Sequence, residues 1–200
     1  AVGADYNDGN GANSGHVRVY SYYSGSWNKR GLDIDGEAAN DQSGKSVSLS
    51  ADGTILAIGA DLNSVLGYGT GHVRVYQFSN DSWSQLGEDI DGEAASNYSG
   101  KSVSLSSDGK TVAIGAPYNA GNGSTSGHVR VYNYNETTWT QLGADINGEA
   151  ANDESGYSVS LSSDGTTVAI GARNNDDNGS NSGHVRVYNL VRFINSVPTA

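Results

Sequence analysis

Gly71-His72-Val73-Arg74-Val75-Tyr76 decides the fold, because the same six residues also begin at Gly15, Gly127 and Gly183, each start 56 residues after the last. Trp27, Trp83 and Trp139 keep the same step, as do the Asp-Gly pairs at Asp52, Asp108 and Asp164 and the Gly-Ala pairs at Gly3, Gly59, Gly115 and Gly171. No insertion or deletion breaks the register. Periodicity this strict implies one structural unit stacked on copies of itself, each burying the apolar face of its neighbour.

Working outward from the motif defines the unit. His72-Val73-Arg74-Val75-Tyr76 alternates, with the valines on one face and Arg74 on the other. Upstream, Ser46-Val47-Ser48-Leu49-Ser50 alternates with the period of two expected of a strand. Asp52-Gly53 reads as a tight turn tolerant of positive φ. Ile55-Leu56-Ala57-Ile58 is a continuous apolar run, as in a strand covered on both faces. Asp61 to Gly71 is a polar loop rich in Asn and Gly. Downstream, Ser82-Trp83-Ser84-Gln85-Leu86 reads as a fourth strand, and Asp91-Gly92 as the turn toward the next copy. No window carries the 3.6-residue period of a helix.

Four antiparallel strands per copy is the blade of an all-β propeller. The whole chain, 1–200, then reads as a single propeller region, with blade repeats at about 1–41 (partial), 42–97, 98–153 and 154–200 (partial). Small residues on the second strand, such as Ala57, Gly59, Ala113, Gly115, Ala169 and Gly171, are expected where blades crowd together. A β-solenoid is the rival architecture, but its coils usually repeat within roughly 20–30 residues. The chain opens at Ala1 inside a second strand and ends just beyond a third, near Phe193, about three and a half blades in all. The expectation is therefore a processed chain or a segment of a longer ring, with a small four-bladed ring, closed by pairing the two partial blades, as the alternative.

Composition narrows the function classes. The 200 residues hold 11 Lys+Arg against 22 Asp+Glu, for a net charge of −11, which argues against a phosphate-backbone partner. With no Cys, neither disulfides nor thiol chemistry can occur. No apolar run approaches the roughly 18 residues of a membrane span.

Ser99-Gly100-Lys101-Ser102-Val103, Val112-Ala113-Ile114-Gly115-Ala116-Pro117 and Ser126-Gly127-His128-Val129-Arg130-Val131-Tyr132 together resemble an FG-GAP repeat. The resemblance runs over nearly the whole chain, in three copies and a partial one. It implies a propeller of the kind found in integrin α subunits and in related bacterial and algal surface proteins, where seven blades form the ring. Ser43, Ser99 and Ser155 replace the family's aromatic residue, and only one copy has the full Gly-Ala-Pro. The loop that carries calcium in integrins is shortened here to Ser-x-Asp-Gly, so the usual calcium loop is missing.

Several recurring residues are candidates for chemistry. Asp33, Asp35 and Glu37 return as Asp89, Asp91 and Glu93, and again as Asp145, Asn147 and Glu149. Clustered oxygens suit Ca²⁺, which takes six to eight, although an acidic turn paired with arginine explains them equally. No cofactor is required by this reading, and Ca²⁺ is a candidate ligand only. Arg18, Arg74, Arg130 and Arg186 stand in apolar strands and need acidic partners, for which Glu37, Glu93 and Glu149, or the nearby aspartates, are the obvious supply, and the expectation is a structural ion pair between blades. His16, His72, His128 and His184 all occupy one repeat position, a ring that would sense pH or hold zinc if functional and pack against a neighbouring blade if structural. Asn7, Asn63, Asn119 and Asn175 suit turns capped by their own side chains. Trp27, Trp83 and Trp139 are expected to cover grooves between blades, or to stack on sugars if exposed. Asn80, Asn97, Asn122, Asn135 and Asn178 head glycosylation triplets.

No nucleophile elbow, zinc-protease helix motif or phosphate loop is present. The near-identical copies argue against an enzyme, whose site usually breaks a repeat. The reading is a non-catalytic extracellular or cell-surface propeller acting in adhesion, protein–protein contact or a structural assembly with further copies or flanking repeats. A carbohydrate-binding propeller and an accessory propeller of a polysaccharide-acting enzyme are the alternatives. Expected partners are a protein or glycan at the cell surface, with no nucleic acid and no membrane insertion.

Overall fold

The computed structural model describes residues 1–190. All regular structure in them is β. The first copy contributes β1 (Val2–Ala4), β2 (His16–Arg18), β3 (Tyr20–Tyr23), β4 (Ser26–Lys29) and β5 (Ile34–Asp35). The second contributes β6 (Ser46–Leu49), β7 (Ile55–Ala60), β8 (His72–Ser79), β9 (Ser82–Gln85) and β10 (Ile90–Asp91). In the third are β11 (Ser102–Leu105), β12 (Thr111–Ala116), β13 (His128–Tyr134), β14 (Trp139–Gln141) and β15 (Ile146–Asn147). The fourth has β16 (Ser155–Leu161), β17 (Thr167–Ala172) and β18 (His184–Asn189). Residues 191–200, and with them Phe193 and the end of the last predicted repeat, lie outside the described residues.

The strands of each copy pair in sequence order and antiparallel, β6-β7-β8 and β11-β12-β13, with Val47 opposite Ile58 and Ile58 opposite Arg74. The four-strand expectation needs a correction. Ile90–Asp91 and Ile146–Asn147 do more than turn the chain: as β10 and β15 they pair with the start of β8 and β13, beside β9 and β14, so each interior sheet has five strands. Ile34, Ile90 and Ile146 are buried by that pairing, which explains an apolar residue between two acids. The ring closed by pairing the first and last copies is not seen: β1-β2-β5 and β16-β17-β18 are separate three-stranded sheets among the described residues.

Turn chemistry follows the sequence. Asp52 Oδ1 accepts hydrogen bonds from Ser50 Oγ and the Thr54 amide, 2.7 and 2.9 Å, with Gly53 at φ 67°. Asp108 and Asp164 repeat this arrangement. The side chains of Asn7, Asn63, Asn119 and Asn175 each accept the amide two residues on, which closes the long loops as Asx turns.

The core lies between consecutive sheets. Ala57, Val73, Val75 and Ile90 of the second copy pack on Val103, Leu105, Val112 and Ile114 of the third. Ala113, Val129, Val131 and Ile146 pack in turn on Val168 and Ile170 of the fourth. Hydrogen bonds at the repeat spacing tie the sheets together: Leu105 N to Ser48 Oγ, Leu161 N to Ser104 Oγ, and Ala51 N to the Ser107 carbonyl. At one point two backbones touch. A Cβ on Gly59 would stand 2.1 Å from the Gly100 carbonyl oxygen, and one on Gly115 would stand 2.0 Å from that of Gly156. No side chain fits there, so glycine at these places fixes how closely the sheets approach.

Candidate functional site

The acidic residues of each Asp-x-Asp-Gly-Glu motif do not converge on one another; stacking distributes them across two sheets. Glu37 follows β5 of the first copy yet pairs with Arg74 of the second, whose Nε also takes Asp89 Oδ1 at 2.8 Å. Glu93 likewise crosses to Arg130, which bonds Asp145 Oδ1 at 3.1 Å. Arg186 meets Glu149 at 3.4 Å, and Arg18 meets Asp33 within its own copy at 2.9 Å. Each interior arginine thus joins an aspartate of its own sheet to a glutamate of the sheet before. Gln85 and Gln141 complete the aspartates, donating to Asp89 and Asp145 at 2.7 and 2.8 Å.

The electrostatics follow from these contacts. Burial works to lower the Arg74 pKa, but hydrogen bonds to Asp89 and Glu37 outweigh it and raise the value. Burial works to raise the Asp89 pKa, and the Arg74 and Gln85 hydrogen bonds overcome it. Hydrogen bonds from Arg18 and Lys29 hold Asp33 well below the usual carboxylate range. Asp91 goes the other way, pushed up by burial. Burial lowers the pKa of His72 and of His128, with Asp89 and Asp145 opposing only in part.

The histidines are drawn into the same clusters. His72 Nδ1 lies 3.6 Å from Asp89 Oδ2, and His128 Nδ1 lies 3.7 Å from Asp145 Oδ2 and 3.8 Å from Glu93 Oε2. His16 has Asp33 and Asp35 at 3.8 and 4.0 Å. His184 divides its two ring nitrogens between Glu149 and Asp177. Asn147, the third copy's replacement for Asp91, lies opposite His128 in the β13–β15 pairing.

The remaining candidates separate by position. Trp83 and Trp139 donate Nε1 to the carbonyls of Arg30 and Leu86 in the preceding copy, both at 2.8 Å, and so cover the groove between sheets. Trp27 instead is exposed and rests edge-on against Tyr22. Together with Ala1, Val2 and Tyr20 it lines an apolar hollow of about 420 Å³. Among the glycosylation triplets, Asn97 is buried, whereas Asn80, Asn122, Asn135 and Asn178 are exposed. Asn135 is already engaged as a turn cap for Thr137 and Thr138.

The variable loop from Asp61 to Thr70, expected from the sequence to be polar and a place for binding, carries apolar surface instead. At a shared loop position, Asn10 and Asn122 donate from Nδ2 to two backbone carbonyls of the turn that follows β5 and β15. The second copy has Leu66 there, flanked by Val65 and Tyr68, and all three are exposed, between 59% and 62%. The Tyr98 ring lies over Gly69 and meets Tyr118 edge-on at 5.0 Å. The available signal was a break in the repeat: Val-Leu-Gly-Tyr where the sister loops read Gly-Asn-Gly-Ala, Gly-Asn-Gly-Ser and Asp-Asn-Gly-Ser.

Comparison with known proteins agrees with this construction. The FG-GAP repeat family matches residues 90–132 and 147–188, which read as two FG-GAP repeats. No curated protein matches it. Among solved structures, a Bacteroides uniformis protein assigned as a 6-phosphogluconolactonase superposes with a TM-score of 0.59 at 12% identity, over 87% of this chain and 44% of that one. The periplasmic gluconolactonase of Pseudomonas aeruginosa gives 0.51 at 16% identity, over 86% and 45%. The likeness is one of fold, all-β and propeller-like, and this chain spans less than half the length of either neighbour.

Proposed function

We propose that the chain is a non-catalytic, extracellular β-propeller segment that makes protein contacts at a cell surface through its loop face. The observation that carries this reading is the exposed Val65–Leu66–Tyr68 group. Among the described residues it is the one loop that exchanges the polar contacts recurring in its sister copies for apolar surface, and side chains of this kind on a constant scaffold suit recognition. The recurring His, Arg and acidic residues serve the stacking of the copies and are repeated in nearly interchangeable form, which suits architecture better than catalysis. The lactonase names belong to the structural neighbours. For this chain the expectation is no hydrolysis of a gluconolactone, and no cofactor is needed for the contact.

The test is adhesion of fluorescent beads coated with the protein to cells of its source. The triple variant Val65→Gly, Leu66→Asn, Tyr68→Ser restores the third copy's residues at these three positions. Adhesion by the parent and about a tenfold loss in the variant are expected. Equal adhesion by both, or none by either, would remove the loop face from consideration. A second reading, glycan binding, rests on Trp27 and its hollow. Retention of the parent on a glycan array, abolished by Trp27→Ala, would favour it instead.

A further inference from the structure

We propose that Glu93, His128 and Asp145 form a divalent transition-metal site of the zinc type at the junction of two sheets, and that Glu37, His72 and Asp89 form its copy at the preceding junction. In each cluster one ligand atom per residue lies within 4.8 Å of the others. The argument begins with His128. Its side chain is only 4% exposed, and Nδ1 has no hydrogen-bond partner among the described residues. A buried, unpartnered imidazole nitrogen costs free energy unless something fills the space it faces. That space is bounded by Asp145 Oδ2 at 3.7 Å and Glu93 Oε2 at 3.8 Å. His72 repeats the pattern, 3% exposed, with Nδ1 unpartnered and Asp89 Oδ2 at 3.6 Å.

The spacing suits a small ion. Zinc bonds of about 2.1 Å at tetrahedral angles place two ligands about 3.4 Å apart, within a few tenths of an ångström of the three histidine–carboxylate separations given, while the other pairs in each cluster lie within 4.8 Å. In the third copy the neighbouring arginine leaves one oxygen of each carboxylate to the histidine, although Glu93 Oε2 also accepts from Asn119 Nδ2 at 3.4 Å. Arg130 takes Asp145 Oδ1 and Glu93 Oε1, while Oδ2 and Oε2 face the histidine. In the second copy Arg74 NH2 also touches Asp89 Oδ2, at 2.9 Å, so that oxygen is shared. Charge favours occupation as well: two carboxylates stand against one guanidinium. A nitrogen donor beside two carboxylates favours zinc-like ions over calcium, which takes oxygen. Because the glutamate comes from one sheet and the histidine and aspartate from the next, a bound ion would clip consecutive copies together.

The experiment is isothermal titration of the protein with ZnCl₂, and with CaCl₂ in a parallel arm, for the parent and for the His72→Gln/His128→Gln variant. Two saturable zinc sites are expected in the parent. They should weaken by about tenfold or more in a variant whose circular dichroism is unchanged, with calcium binding weaker throughout. Equal zinc binding by both proteins would mean adsorption to the acidic surface, and no binding by the parent would equally overturn the proposal. Should the variant fail to fold, imidazole ¹⁵N spectra of the parent decide. Zinc must shift Nδ1 of His72 and His128 and leave His16, which has no glutamate within reach among the described residues, in place. Unshifted His72 and His128 signals would refute the site.

Discussion

Val73 and Val185 occupy the same place in the same six-residue motif, yet one is completely buried and the other is 67% exposed. Val75 and Val187 differ in the same way, 0% against 66%. The strands themselves are alike: β8 and β18 pair with their neighbours in identical register, Val73 with Gly59 and Val185 with Gly171. The comparison separates two levels of structure. Strand and turn are properties of the copy, whereas burial belongs to the copy plus its successor. In the interior the successor supplies Val103, Leu105, Val112 and Ile114, and no such set covers β18 among the described residues.

Three experiments would break or sharpen this contrast. The largest effect is expected at the glycine contact. Gly115→Ala would place a Cβ 2.0 Å from the Gly156 carbonyl oxygen, while Gly171→Ala meets only the movable Ser158 hydroxyl at 2.4 Å. Chemical denaturation should show a loss of about 3 kcal/mol for the first and under about 1 kcal/mol for the second. Similar losses at both positions would show that the contact between sheets is not what demands glycine. Next come the valines. Val129→Ala, in a fully covered site, should cost about 2–3 kcal/mol, against about 0.5 kcal/mol or less for Val185→Ala. A full cost at Val185 would mean that another surface covers β18 in solution.

The smallest effect concerns a local feature, and there interior and terminal copies should behave alike. Hydrogen bonds from Ser50 and Thr54 lower the pKa of Asp52, and those from Ser162 and Thr166 do the same for Asp164. A carboxyl lowered in the folded state contributes stability that is complete above its unfolded pKa of about 4 and disappears as pH falls through the folded value. Asp52→Asn and Asp164→Asn should therefore each flatten the fall in urea midpoint between pH 4 and pH 2 slightly and to the same degree. A clear difference between them would show that the turn depends on its neighbours after all.

Much of this was legible in the sequence because it is local. The period-two pattern placed β6, β8 and β11, the Asp-Gly pairs placed the turns, and the spacing of Asn63 and Asn119 marked loops that cap themselves. Ile90 was legible as a strand end with its side chain inward, but the pairing of Ile90–Asp91 with the start of β8 was not, because two residues carry no period. The pairing of Arg74 with Glu37 and of Arg130 with Glu93 between copies was legible as an interblade pair, whereas the approach of Glu93 to His128 was hidden, since it exists only once one sheet lies on another. Trp27 was indistinguishable from Trp83 in the sequence, although of the two only Trp83 donates its indole N–H to a backbone carbonyl among the described residues. The apolar loop at Val65 was visible as a departure from the repeat, but its exposure was not.

The bonds between sheets recur at one fixed offset, Ser48 to Leu105 and Ser104 to Leu161. Recombination between any two copies, at any matching codon, would thus splice donors and acceptors already suited to each other. Such a gene can lengthen or shorten by whole units in a single event without first passing through a misfolded ancestor.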